Sequence, residues 1–216
     1  MNKTFSTELF NQMPIVGIMR NMPAAHLQGI AKTWCDSGLT CLEITMNSEG
    51  AEAGIAHLAA IYAGKLNIGA GTVCSMADLE RALNAGAQFI VTPIINEEVI
   101  RACVNTGVPI FPGAFTPSEI YKAWSLGATM VKLFPAGDLK PTYVKEVLAP
   151  LSQIKILPTG GIGLENFTSW LAMGAKGVGV GSQLFPRDVI QREDWTELGN
   201  IYREFVEKYQ EFSATK

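Results

Sequence analysis

Five stretches of this chain share one layout, in which a helical segment runs into a glycine and the glycine into a short apolar run: SGLTCLEIT (37–45), AGAQFIVTP (85–93), TGVPIFPG (106–113), LGATMVKLFP (126–135) and MGAKGVGVG (173–181). Gly86, Gly107 and Gly127 are spaced by 21 and 20 residues, whereas Gly38 to Gly86 is 48 and Gly127 to Gly174 is 47. Each wide gap has room for one more unit, and KLNIGAGT (65–72) and IKILPTG (154–160) fill them. With PIVGIM (14–19) at the start, the pattern yields eight strands alternating with helices. Glycine suits the end of a helix because it takes the left-handed conformation at little steric cost. The apolar runs do not alternate with polar residues, as expected of parallel strands buried on both faces.

The intervening stretches carry helical periodicity. Leu27, Ile30, Ala31, Trp34 and Cys35 fall on one face of a helix. Thr116-Pro117-Ser118-Glu119 combines an N-cap, a first-turn proline and a capping box, Ser75-Met76-Ala77-Asp78 is a weaker form of the same signal, and Asn96-Glu97-Glu98 starts another helix with acid in its first turn. Asp194 to Glu211 reads as a last helix with Trp195, Leu198, Ile201, Tyr202, Phe205 and Tyr209 on one face. Eight βα units within 216 residues predict an α/β protein with a closed (β/α)8 TIM barrel, preceded by an N-terminal helix and forming a single domain over 1–216. An open doubly wound sheet is the main rival, weakened by the absence of G-x-G-x-x-G after the first strand.

Composition removes several classes of function. A net charge of -3 without a basic tract gives no nucleic-acid footprint. The N-terminus lacks the apolar stretch of a signal peptide, and no apolar run is long enough to span a membrane. Cys35, Cys41, Cys74 and Cys103 form no CxxC, which suits a reduced, cytoplasmic protein without a zinc site. His26 and His57 are the only histidines and are expected on helix surfaces rather than at a metal or in a triad.

Barrel enzymes carry their chemistry at the C-terminal ends of the strands. Those positions hold Arg20 on the first strand, Glu43 and Asn47 on the second, Thr72 on the third, Pro93 on the fourth, Lys132 and Phe134 on the sixth, Thr159 on the seventh and Ser182 on the eighth. A structural Lys132–Glu43 ion pair is the plainest reading of two charges within apolar strands. The convergence of an acid, a lysine and an arginine on one barrel mouth favours a reactive site. A lysine amine must be neutral to attack a carbonyl, and at an ordinary pKa of about 10.4 only roughly one in 2,500 is neutral at pH 7. Burial, reinforced by Arg20 and opposed by Glu43, lowers that pKa and opens imine chemistry. Glu43, the only strand-end carboxylate, is then the candidate proton carrier. The glycine-rich turns PTGGIG (158–163) and GVGVGS (177–182) follow the seventh and eighth strands, where barrels often bind phosphate through backbone N–H groups.

In combination, GAGTV (69–73), FIVTP (89–93), PIFPGAFTPSE (109–119), VKLFPA (131–136), PTGGI (158–162) and VGVGS (178–182) resemble the 2-keto-3-deoxy-6-phosphogluconate / 4-hydroxy-2-oxoglutarate aldolase family, in order from Pro14 to about Pro186. The resemblance implies a class I aldolase, a homotrimer without metal or other cofactor, that cleaves a small-molecule keto acid to pyruvate and an aldehyde. Carried over by position, Lys132 forms the Schiff base and Glu43 is the general acid/base. Thr72 holds the pyruvate carboxylate, Pro93 and Phe134 line the pyruvyl pocket, Thr159 faces the substrate hydroxyls, and Gly160, Gly161, Gly181 and Ser182 hold phosphate. Phosphogluconate-type enzymes usually read E-V-T-L-R-T where this chain reads Glu43-Ile44-Thr45-Met46-Asn47-Ser48, which is similar to the E-I-P-L-N-S of phosphogalactonate-type aldolases. Asparagine cannot supply an arginine's charge, so Arg20 is expected to supply it, with Asn47 as a further substrate contact. Two other readings stay open: a phosphate-sugar isomerase or epimerase on the same barrel, and a catalytically silent keto-acid sensor.

Overall fold

The computed structural model describes residues 4–215. The helix α1 (Thr7–Gln12) precedes β1 (Ile15–Met19), after which helices and strands alternate. The order continues α2 (Leu27–Asp36), β2 (Cys41–Thr45), α3 (Ala51–Ile61), β3 (Asn67–Gly71), α4 (Met76–Asn84), β4 (Ile90–Val91), α5 (Glu97–Thr106) and β5 (Ile110–Phe111). The second half runs β6 (Gly113–Ala114), α6 (Pro117–Ser125), β7 (Val131–Leu133), α7 (Thr142–Leu148), β8 (Ile156–Pro158), α8 (Phe167–Ala172), β9 (Val178–Val180), α9 (Arg187–Gln191) and α10 (Trp195–Ala214). All eight anticipated strands are present. The fifth is split into β5 and β6 around Pro112, which has no N–H to give to a ladder. The glycines that open the repeated units, Gly38, Gly86, Gly107, Gly127 and Gly174, all have positive φ, between 71° and 105°.

Every strand pairing is parallel. Six strands form a curled sheet in the order β5-β4-β3-β2-β1-β9, and β6-β7-β8 form a second sheet. The two approach at a parallel bridge between Thr159 and Gly179. Burial on both sheet faces follows the two-residue period of a strand. Ile15, Leu42, Ile68, Ile90, Ile110, Val131, Ile156 and Val178 belong to the large core shared with the helices. Their neighbours Val16, Cys41, Phe89, Phe111, Met130 and Leu157 form a second cluster with Phe10.

This second cluster closes the end of the sheet where the strands begin. Phe5 lies edge-on to Phe89 at 5.5 Å and to Phe111 at 6.2 Å, and Phe89 and Phe111 are 5.6 Å apart. Buried polar residues at the strand starts tie the N-terminal segment down. Asn67 accepts from Ser6 N–H at 2.7 Å and donates to Ser6 C=O at 2.8 Å, Thr40 donates to Leu9 C=O at 2.8 Å, and Gln88 donates to Thr4 C=O at 3.3 Å.

The helix starts agree with the sequence reading. Thr116–Glu119 forms a full capping box, and so does Ser75–Asp78, so the second signal is stronger than expected. Asn96 caps α5 through Glu98 and Val99 N–H. The face of α10 packs on α2, where Trp34 stacks on Phe185 at 5.7 Å and meets Tyr202 edge-on at 5.0 Å. One expectation fails: His57 is exposed on α3, but His26 ends a short 3-10 turn with its side chain only 16% exposed, its Nδ1 3.2 Å from Glu193. The chain turns inward there to meet Trp195, so this histidine packs rather than projecting from a helix. Among the described residues, no helix is long and apolar enough to cross a membrane.

Candidate active site

At the C-terminal ends of the strands a cavity of about 480 Å³ is lined by Arg20, Lys132, Phe134, Thr159, Gly160, Gly161, Gly181 and Ser182, together with Ile18, Met22, Ile162, Gln183, Phe185, Pro186 and Arg187. The structure thus gathers eight of the residues singled out in the sequence. Glu43 lies deeper, 1% exposed in the middle of β2. Asn47 is exposed and, like Thr72 and Pro93, lies outside the cavity lining.

Lys132 is the middle residue of β7, hydrogen-bonded through its N–H to Pro112 C=O at 2.9 Å, and only 4% exposed. Its Nζ sits 4.9 Å from the centre of the Phe134 ring, two residues on along the same strand face. Neither Lys132 nor Glu43 takes part in an ion pair among the described residues, so the plain structural pair is not formed. Burial pushes the Lys132 ammonium down from its ordinary value, Arg20 pushes the same way, and Glu43 opposes. Burial likewise raises the Glu43 carboxyl, against the pull of Lys132 and Arg20. Desolvation therefore dominates at both groups and favours their neutral forms. Room for the carboxylate comes from Gly71, since a Cβ there would lie 2.3 Å from Glu43 Oε1.

Two backbone features flank this pair. Thr72, just past β3, has a φ of 57°. A β-branched residue in the left-handed region costs roughly 1–3 kcal/mol, and such strain clusters at functional sites. Asn21, beside Arg20, also has a positive φ, and its N–H donates to Ser48 Oγ at 2.8 Å. Ser48 is itself 2.8 Å from Thr45 Oγ1 and buried. A hydroxyl pair on the β2 side thus holds the loop that carries Arg20, a role that strand-end reading alone does not reveal.

The glycine turns are braced by side chains that the sequence reading also missed. Gly160 and Gly161 have φ of 88° and 69°, and a Cβ on Gly161 would meet Gly137 Cα at 2.4 Å, so only glycine fits. Asn166 donates to Gly161 C=O at 2.9 Å and accepts from Gly163 N–H at 3.0 Å. Gln183 accepts from Leu164 N–H at 3.2 Å, joining the turn after β8 to the turn after β9. The G-x-x-N spacing of Gly163 to Asn166 is a local turn signal within reach of sequence reading; Gln183 and Arg187 carry no local signal at all.

A family model described as KDPG and KHG aldolase matches residues 7–201. The chain is 35% identical to the 2-dehydro-3-deoxy-phosphogluconate aldolase of Haemophilus influenzae, over 93% of this chain and 94% of that protein. It is 34% identical to the 2-dehydro-3-deoxy-6-phosphogalactonate aldolase of Escherichia coli, over 81% and 85% of the two chains. A solved structure of native KDPGal superposes with a TM-score of 0.87 at 31% identity, covering 98% of this chain and 99% of that one. The KDPG aldolase of Legionella pneumophila, solved with pyruvate captured as a covalent carbinolamine intermediate, gives 0.82 at 25% identity, covering 90% and 95%. With a family match over most of its length and a cavity that holds a buried lysine and the glycine turns, this chain belongs to the KDPG and KHG aldolase family.

Proposed function

We propose that the protein is a class I aldolase, a lyase that reversibly cleaves a 2-keto-3-deoxy-6-phospho sugar acid to pyruvate and glyceraldehyde 3-phosphate. The observation that carries this reading is an amine buried at a cavity floor and driven toward its neutral form. Neutral Lys132 attacks the C2 ketone and expels its oxygen as water, leaving a protonated imine. That cation draws electrons from the C3–C4 bond as the C4 hydroxyl loses its proton, so the aldehyde departs and an enamine remains. Glu43, whose carboxyl is held up by burial, takes the hydroxyl proton, directly or through water, and later returns one to C3. Water then releases pyruvate from Lys132.

The flanking roles follow the cavity. Arg20 faces the substrate carboxylate and supplies the charge that Asn47 lacks. Thr72 holds the same carboxylate, Pro93 and Phe134 bound the methyl and imine carbons, and Thr159 meets the hydroxyls. The Asn47 contact rests on the family resemblance alone. Gly160, Gly161, Gly181 and Ser182 take the phosphate, supported by the open backbone of the positive-φ turn at Gly160-Gly161. The 34% and 35% identities to galactonate- and gluconate-type aldolases leave both C4 epimers, and 4-hydroxy-2-oxoglutarate, as substrates to compare.

The bridge between Thr159 and Gly179, and the continuity of β5 and β6 through Pro112, support one closed eight-stranded barrel and a single domain. Four free cysteines support a reducing, cytoplasmic setting. Exposed Ile94, Phe115 and Tyr121, on segments after β4 and β6, support association into the family's trimer in carbohydrate metabolism.

The deciding test is borohydride reduction in the presence of pyruvate, followed by peptide mass mapping. A pyruvyl adduct is expected on Lys132, together with pyruvate release from phosphorylated keto-deoxy acids. Proton exchange without an adduct would instead support an isomerase or epimerase, and binding without turnover a sensor.

A further inference from the structure

The substrate class proposed above is anionic at both ends, with a carboxylate at C1 and a phosphate of about −1.5 to −2 charge at C6. The cavity lining has three basic side chains, Arg20, Lys132 and Arg187, and no carboxylate. Lys132 reacts as the neutral amine, so two arginines remain for two anionic groups. Arg20 is among the charges that act on both Lys132 and Glu43, whereas Arg187 is among those of neither, which places the two arginines at different distances from the reacting carbons.

Arg187 belongs to the 182–187 segment that leaves the turn after β9. Phe185 fixes that segment by its stack on Trp34, and it is turned by bonds from Leu184 N–H to Gly181 C=O at 2.9 Å and from Phe185 N–H to Ser182 C=O at 3.2 Å. Ser182, Gln183 and Arg187 therefore reach the cavity from one braced strip. The guanidinium has no ion pair or hydrogen bond among the described residues. The nearby acids are engaged elsewhere: Asp188 with Arg192 at 3.4 Å and Glu193 with His26 at 3.2 Å.

We propose that Arg187 is a specificity-determining residue that grips the substrate's terminal phosphate from the side opposite the glycine turns and sets the enzyme's preference for phosphorylated over unphosphorylated keto acids. The glycines and Ser182 provide neutral donors for a phosphate. The arginine adds the full charge and the forked pair of N–H groups that match phosphate oxygens. This inference rests on the aldolase reading for its substrate, but its binding test does not require turnover.

The experiment compares the wild type with Arg187→Met and Arg187→Lys. Calorimetric titration with glycerol 3-phosphate, with glycerol as the control, should show Arg187→Met weakening binding by about ten- to a hundredfold, the scale of a hydrogen-bonded charge contact. Arg187→Lys should fall between, because an ammonium keeps the charge but not the fork. The ratio of kcat/KM for the phosphorylated acid to that for 4-hydroxy-2-oxoglutarate should drop by a similar factor. Unchanged glycerol 3-phosphate binding, or equal losses on both acids, would overturn the proposal. Failure to trap pyruvate on Lys132 would sink the aldolase reading and leave the calorimetric result to stand by itself. The guanidinium is exposed and unpaired, so both variants should melt with the wild type, which circular dichroism checks first.

Discussion

The two ends of the strands treat buried polar groups in opposite ways. At the end where the strands begin, Asn67, Thr40 and Gln88 are all spent on backbone groups of the N-terminal segment, and the space between them is filled by Phe5, Phe10, Phe89 and Phe111. At the end where the strands finish, Glu43 and Lys132 are as deeply buried, yet neither side chain has a hydrogen-bond or ion-pair partner among the described residues. Buried polar groups are normally satisfied, because leaving one unmade costs the full desolvation of that group. One end is therefore built for stability. The other holds unspent interactions that a ligand with a ketone, a carboxylate and a phosphate can use.

The comparison breaks most sharply at Lys132. Lys132→Met should lower turnover by about 10⁴-fold or more, as loss of a covalent nucleophile does, and abolish the borohydride adduct. It should also leave the protein folded and no less stable, since a flexible apolar chain replaces a desolvated amine; a clearly lower melting temperature would contradict that picture of the mouth.

Glu43→Gln should slow turnover by about 10²- to 10⁴-fold while pyruvate still traps on Lys132. The same variant sharpens the stability side of the contrast. A carboxyl raised above its ordinary 4.5 contributes stability that is fully present below 4.5 and lost as pH rises through the folded value. Glutamine cannot ionise, so the variant's melting temperature should gain on the wild type as pH climbs above 4.5.

Phe111→Ala tests the other end. It should cost about 3–5 kcal/mol in urea unfolding, as a fully buried aromatic does, with kcat per folded molecule nearly unchanged. A large loss of kcat at equal folding would show that the closed end and the mouth are coupled.

The smallest effect is expected at Arg20→Met, read as a pH profile. Arg20 helps hold the Lys132 amine below its ordinary 10.5, so removing it should move the midpoint of pyruvate trapping to higher pH. A midpoint that stays put or falls would show that burial alone sets the amine.

Much of this was legible along the chain because its causes are local. Gly38, Gly86, Gly107, Gly127 and Gly174 end helices whatever packs around them, and Thr116 and Asn96 start helices through bonds that span three residues. Glu43 and Lys132 stand out as charges inside apolar strands, and the two-residue period puts each on the face opposite to its apolar neighbours. The split at Pro112 follows from one missing N–H, although the reading of the fifth strand as continuous overlooked it.

Other features needed the chain to close on itself. Ser48 supports Arg20 from 28 positions away in the sequence, Gln183 reaches Leu164, and Arg187 joins a cavity that Lys132 begins. No periodicity encodes such meetings, because each depends on which loops the parallel sheet places side by side. The same holds for the two pKa shifts. Residue type says that Lys132 and Glu43 can titrate, but only the surrounding packing removes the water that would keep them charged. The sequence by itself determined the strand–helix alternation and the pair of groups able to do the chemistry. The tertiary structure decided which further groups face that pair and how dry its surroundings are, since desolvation and long-range proximity are properties of the folded chain.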